Sequence, residues 1–126
     1  MTKQEMDDFL LAIGGLVDGY KPNSKRIISS DFFRIEKGWF PLIKKLITDL
    51  IEVGWNREIC CIKEKFGGLR FYITEGSDEV WNLILNAEEE SLNVCEKCGS
   101  PGKIRTDIGW LLTLCDKHYN KKREAI

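Results

Sequence analysis

Four residues near the C-terminus constrain this chain more than any others: Cys95 and Cys98, then, after sixteen intervening residues, Cys115 and His118. Two residues separate the members of each pair, so one short turn can present both side chains to a single point. Thiolate and imidazole are soft or borderline donors, and four of them at this spacing predict a tetrahedral zinc site. An iron–sulfur cluster is the competing reading, but three cysteines and one histidine fit zinc better. Protein fills all four positions, which describes one structural ion, because catalytic zinc keeps a position open for water. The ion then replaces hydrophobic core that so short a lobe cannot build.

The residues around the ligands have their own pattern. Gly99 and Gly102 permit a tight knuckle after the first pair. Lys103 to Thr106 and Trp110 to Leu114 can pair about a turn at Asp107-Ile108-Gly109, and the second ligand pair opens a helix over Asp116 to Glu124. A knuckle, a hairpin and ligands at a helix start, over residues 94–124, resemble the treble-clef zinc finger.

Upstream, apolar spacing predicts three helices. Thr2 with Glu5 forms a capping-box pattern ahead of Met6, Phe9, Leu10, Ile13 and Val17, which predicts a helix over 2–17 weakened at Gly14-Gly15. Residues 18–30 read as a loop with turn chemistry at Lys21-Pro22-Asn23-Ser24, and Ser30-Asp31 caps a short helix ending near Gly38. Trp39, Leu42, Ile43, Leu46, Ile47 and Leu50 form one stripe of a core-facing helix over 39–53, with Pro41 in its first turn and Gly54 at its end. Ser77 caps a helix over 78–92 whose inner face is Val80, Ile84, Ala87 and Ser91, with Glu88-Glu89-Glu90 facing water.

Between these helices, residues 58–75 read as a β-hairpin turning at Gly67-Gly68. That register sets Phe66 opposite Leu69, Glu64 opposite Phe71 and Ile62 opposite Ile73. One face then carries Cys60, Ile62, Phe66, Leu69, Phe71 and Ile73 with Glu64; the other carries Cys61, Lys63, Lys65, Arg70, Tyr72 and Thr74. The expected fold is α+β: helices packed on a hairpin as a body over 1–93, closed by a zinc-binding lobe over 94–126.

Charge limits the function. The 126 residues carry 19 basic and 20 acidic side chains, a formal −1, which gives no global support to nucleic-acid binding. Residues 61–94 set Lys63, Lys65 and Arg70 against seven acids, a formal −4, whereas 95–126 carry a formal +3. Apolar residues never run long enough to predict a membrane span, and Met1 to Asp8 is acidic and polar, unlike a secretory signal. The expectation is a cytoplasmic chain with reduced thiols.

The run Lys63-Glu64-Lys65-Phe66-Gly67-Gly68-Leu69-Arg70-Phe71-Tyr72, with Ala87-Glu88 and Cys95-Glu96-Lys97-Cys98-Gly99, resembles a group of small, uncharacterised bacterial and bacteriophage proteins over residues 39–118. The resemblance implies a bacterial cytoplasm, or a phage-infected cell, and no particular reaction.

Three function classes follow. Lys63, Lys65, Arg70 and Tyr72 share one hairpin face, and Lys65 and Arg70 are expected to be cross-strand neighbours; like charges so placed cost stability unless an anionic partner or nearby acids such as Glu75, Asp78 or Glu88–Glu90 offset them. The first reading is a non-enzymatic adaptor or inhibitor, of counter-defence or immunity type, that binds a protein through this face. The second is a nucleic-acid-binding module using the same face and the Lys117–Arg123 helix. The third is an enzyme built around Glu64, a carboxylate expected among apolar neighbours and therefore paired, bulged outward or catalytic. Cys60-Cys61 lacks a base, because the only histidine belongs to the zinc set, and adjacent strand residues are expected on opposite faces with Cys60 in the core. Trp39, Trp55, Trp81 and Trp110 read as core or partial core, with an interface as the alternative.

Overall fold

Thr2 starts the first helix in the manner its capping box requires. Glu5 N donates to Thr2 Oγ1 at 3.1 Å and Thr2 N donates to Glu5 Oε1 at 3.0 Å. The computed structural model describes residues 1–21 and 28–125. In it α1 spans Lys3–Ala12, shorter than expected, because Gly14 and Gly15 both take positive φ (+85° and +76°) and turn the chain out of the helix. The turn chemistry at Pro22, Asn23 and Ser24 lies outside the described residues.

Val17–Asp18 forms β1, which pairs in parallel with the start of β2 (Glu58–Lys65). The single helix expected from Ser30 to Gly38 is instead two 3-10 turns, Ser30–Phe32 and Lys37–Trp39. The reason lies between them. Arg34 N donates to Ile62 O at 2.9 Å and Glu64 N donates to Arg34 O at 3.2 Å, so the backbone of residue 34 serves as a rung on β2 and cannot continue a helix.

α2 (Phe40–Glu52) buries Leu42, Ile43, Leu46, Ile47 and Leu50 as its stripe predicts, with Pro41 in the first turn. The hairpin is β2 with β3 (Gly68–Ile73). Its turn is Phe66-Gly67, one residue earlier than expected, and both take positive φ (55° and 82°). Each partner therefore moves by two: Glu64 faces Leu69, Lys63 faces Arg70, and Ile62 faces Phe71. A two-residue slip preserves the faces, so Ile62, Leu69, Phe71 and Ile73 are buried as expected. Three positions are corrected. Phe66 sits at the turn and is 64% exposed. A bulge between Ile59 and Cys61 inserts Cys60 as an extra residue, which turns Ile59 into the core and Cys60 out of it.

α3 (Asp78–Ser91) is capped by Ser77 and buries Val80, Ile84, Ala87 and Ser91. It also closes the free edge of β3. Leu69 N donates to Ser91 Oγ at 2.9 Å and Phe71 N to Glu88 Oε2 at 3.0 Å. Glu88 is thus half-buried and bonded to the sheet, not turned wholly to water as expected, because an unpaired strand amide demands an acceptor.

The C-terminal lobe follows: β4 (Lys103–Arg105) pairs with β5 (Leu112–Leu114), and α4 runs Asp116–Glu124. Buried Arg105 ties them together, donating to Leu114 O and to Asp116 Oδ1 at 2.8 Å. The chain has two apolar clusters, a large one in the helices and hairpin and a small one of Cys95, Ile108, Leu112 and Leu114. Hydrogen bonds join them: Trp39 Nε1 donates to Val94 O at 2.8 Å, Gly38 N to Glu96 O at 3.0 Å, and Thr113 Oγ1 to Gly67 O at 2.6 Å. At Gly38 a Cβ would fall 2.3 Å from Cys95 O, so only glycine admits this approach. The architecture is α+β, and no helix among the described residues is long and apolar enough to cross a membrane.

Candidate functional site

The knuckle at 95–98, the end of β5 and the first turn of α4 bring Cys95, Cys98, Cys115 and His118 together, with all four donor atoms within 4.8 Å of one another. Cys98 Sγ lies 3.8 Å from Cys115 Sγ, Cys95 Sγ lies 3.7 Å from His118 Nδ1, and Cys115 Sγ lies 3.2 Å from the same nitrogen. A tetrahedron with metal–sulfur bonds of about 2.3 Å and metal–nitrogen bonds of about 2.0 Å sets neighbouring donors roughly 3.5–3.8 Å apart. The group therefore fits one metal ion, with Nδ1 as the imidazole donor. Ser100, through its side chain and then its amide, holds the Cys98 thiol down to about 6, while burial pushes the Cys95 thiol up.

Glu96, inside the knuckle, was missed by pattern reading. It is 5% exposed, and burial pushes its carboxyl up to about 7 against the opposing Thr113 amide, which donates to Oε2 at 3.3 Å. With Glu36 and Glu64 it lines a hollow of about 330 Å³. Each carboxylate there has a structural engagement: Glu36 pairs with Lys97 at 2.7 Å, and Glu64 Oε1 accepts from Gly67 N at 2.7 Å. Glu64 is half-buried and braces the hairpin turn, in place of the apolar setting expected for it.

The opposite face of the hairpin carries the predicted partner residues. Lys63 and Arg70 are half-buried and directly opposite each other, Lys65 is exposed opposite Gly68, and Tyr72 is 38% exposed. The expected Lys65–Arg70 neighbour pair is therefore corrected to Lys63–Arg70. Arg34, which sequence reasoning also missed, bridges to Lys63 from the other side. Paired residues share a face, so Arg34, Lys63 and Arg70 stand three abreast across the sheet. Among the described residues the ion pairs join Lys3 to Asp31, Lys97 to Glu36 and Arg105 to Asp116, and none involves these three cations or Lys65. Lys63 Nζ instead lies 5.6 Å from the Tyr72 ring centroid and Lys65 Nζ 5.5 Å from that of Phe66.

Beside this row is a cleft of about 510 Å³. Tyr20, Asp31, Phe32, Arg34, Cys60, Cys61, Lys63 and Tyr72 line it. The bulge is what brings both thiols to one side, contrary to the strict alternation of a regular strand. Burial, then Asp18 and Glu58, raise the Cys60 thiol. Of the tryptophans, Trp39 and Trp55 are core, while Trp81 and Trp110 are exposed.

The chain matches no family model, no curated protein and no solved structure.

Proposed function

We propose that this is a small, zinc-stapled, non-enzymatic protein that binds and modulates another protein through the outer face of its hairpin. The carrying observation is the row Arg34, Lys63 and Arg70, which makes no ion pair to a carboxylate among the described residues. Like charges in cross-strand register cost stability, and a carboxylate-bearing partner surface offsets that cost. Tyr72 adds a rigid ring of the kind enriched at interface hot spots. The zinc is structural: protein supplies four ligands, and knuckle, hairpin and helix follow one another in treble-clef order. In a bacterial or phage-infected cytoplasm such a binder serves as adaptor, inhibitor, or counter-defence or immunity protein. The second reading, a nucleic-acid module, draws on Lys121, Lys122 and Arg123 in the last turn of α4.

Affinity purification from a bacterial host with K63E/R70E tests the first reading. The new pair still repels, so folding and zinc content are expected to match wild type. A protein recovered stoichiometrically with wild type, resistant to nuclease, and lost with the folded variant supports the reading. Equal recovery overturns it, and recovery that nuclease or rising salt abolishes transfers the function to nucleic acid.

A further inference from the structure

We propose that the cleft beside Arg34 and Lys63 binds a nucleoside phosphate. The inference rests on the reading above only in sharing Lys63 and Tyr72; it adds a small-molecule ligand to that face. Three features of the cleft point to this chemistry. Its volume, about 510 Å³, is within the usual range for small-ligand sites. Two cations reach it, Arg34 and Lys63, and neither is paired with a carboxylate among the described residues. A guanidinium fork beside an ammonium suits a phosphate dianion, because the fork can donate to two oxygens while the ammonium adds a point charge. The third feature is aromatic. Tyr20, Phe32 and Tyr72 line the same cleft as the cations, and a base can lie flat on such a ring, where stacking contributes without reading its edge.

The parts are coupled. Lys63 Nζ now sits 5.6 Å from the Tyr72 ring centroid. Transfer of that ammonium to a phosphate uncovers the ring for the base, so one ligand engages both. Arg70, across the ladder from Lys63, keeps the row electropositive while its own Nη1 donates to Leu69 O at 3.0 Å. Asp31, also on the cleft wall, is ion-paired with Lys3. A bare phosphate satisfies the cations but leaves three rings unused, and an uncharged aromatic does the reverse. The ligand that uses both is a phosphate ester carrying a flat heterocycle.

The test is titration of the full-length, zinc-loaded protein with AMP, UMP and ATP, and separately with inorganic phosphate, by calorimetry and amide chemical shifts. Saturable shifts centred on Arg34, Cys61, Lys63 and Tyr72 are expected, with nucleotides binding at least tenfold more tightly than phosphate. Arg34→Ala is expected to weaken nucleotide binding about tenfold or more, the loss of one charge-assisted contact. Tyr72→Leu is expected to weaken nucleotides several-fold while leaving phosphate unchanged. No cleft shifts in wild type at millimolar nucleotide, equal affinity for phosphate and nucleotide, or undiminished binding by Arg34→Ala overturns the proposal. Capture of a protein partner by wild type with no nucleotide binding sinks this inference alone. Nucleotide binding with no partner sensitive to K63E/R70E sinks the protein-binding reading alone.

Discussion

One carboxylate ties the N-terminal helix to the segment that leads into the sheet. Asp7 Oδ1 accepts from Ser30 N at 2.8 Å and from Ser30 Oγ at 2.7 Å. The hydroxyl first, and then the amide, hold this carboxyl below its ordinary range. A folded-state value below the unfolded one gives stability that is complete above the unfolded value, near pH 4, and is lost as pH falls through the folded value. Asp7→Ala is expected to lower stability by about 1 kcal/mol at neutral pH, the usual worth of such a hydrogen bond. The gap between variant and wild type in urea unfolding is expected to close as pH falls below about 4; a gap independent of pH would refute the assignment. Single residues of this kind were poorly legible in the sequence. Glu64 attracted notice for its place in an apolar pattern, yet it braces a turn, while Glu96, in an ordinary-looking knuckle, is the carboxylate with the strongly raised value. Burial by residues distant in sequence raises it, against the opposing Thr113 amide.

At the scale of elements, α2, α3 and α4 were legible, while the end of α1, the 30–38 segment and the hairpin register were not. The stripes of α2 and α3 follow from periodicity, because a helix satisfies its own backbone, and α4 opens at the second ligand pair as expected. A hairpin turn is chosen by both strands and their neighbours. Gly67-Gly68 offered two residues tolerant of positive φ, but the chain turns at Phe66-Gly67, where Glu64 receives the Gly67 amide and Thr113 bonds the Gly67 carbonyl. The two glycines therefore have different jobs. Gly67→Ala is expected to cost about 1 kcal/mol or more, since φ is +82°. Gly68 has no such demand, and a Cβ there would meet Arg70 Nη1 at 3.1 Å and Leu92 at 3.2 Å, both at flexible ends. Gly68→Ala is expected to cost distinctly less. Denaturation midpoints of the two variants measure this directly, and a larger effect at Gly68 would return the turn to 67–68. The bulge at Cys60 left no trace in the pattern either, because a single inserted residue looks like one more polar–apolar exchange.

Across the whole molecule, the C-terminal lobe and the helical body are stitched by hydrogen bonds to backbone carbonyls, between two separate apolar clusters. Trp39 Nε1 on Val94 O, Gly38 N on Glu96 O and Thr113 Oγ1 on Gly67 O all start or end in the lobe. Metal analysis is expected to return close to one zinc per chain. Removing it with a strong chelator is expected to unfold residues 94–124, because binding free energy in such a site is folding free energy. Through those three bonds it is also expected to speed exchange of the Trp39 indole proton and lower the melting temperature of the body by several degrees. A chain that holds no metal and keeps its melting temperature in chelator would refute this. The Cys3His cluster was legible in the sequence, being a local pattern; the stitching was not, since it depends on Gly38 being bare. The edges of the small sheet have a different kind of consequence. Ser91 and Glu88 occupy the outward amides of Leu69 and Phe71, while β1 and Arg34 line the other margin of β2. A visiting strand finds no open ladder at these positions to copy. The molecule can therefore be crowded without seeding fibrils there, and a binder at these positions approaches broadside instead of lengthening the sheet.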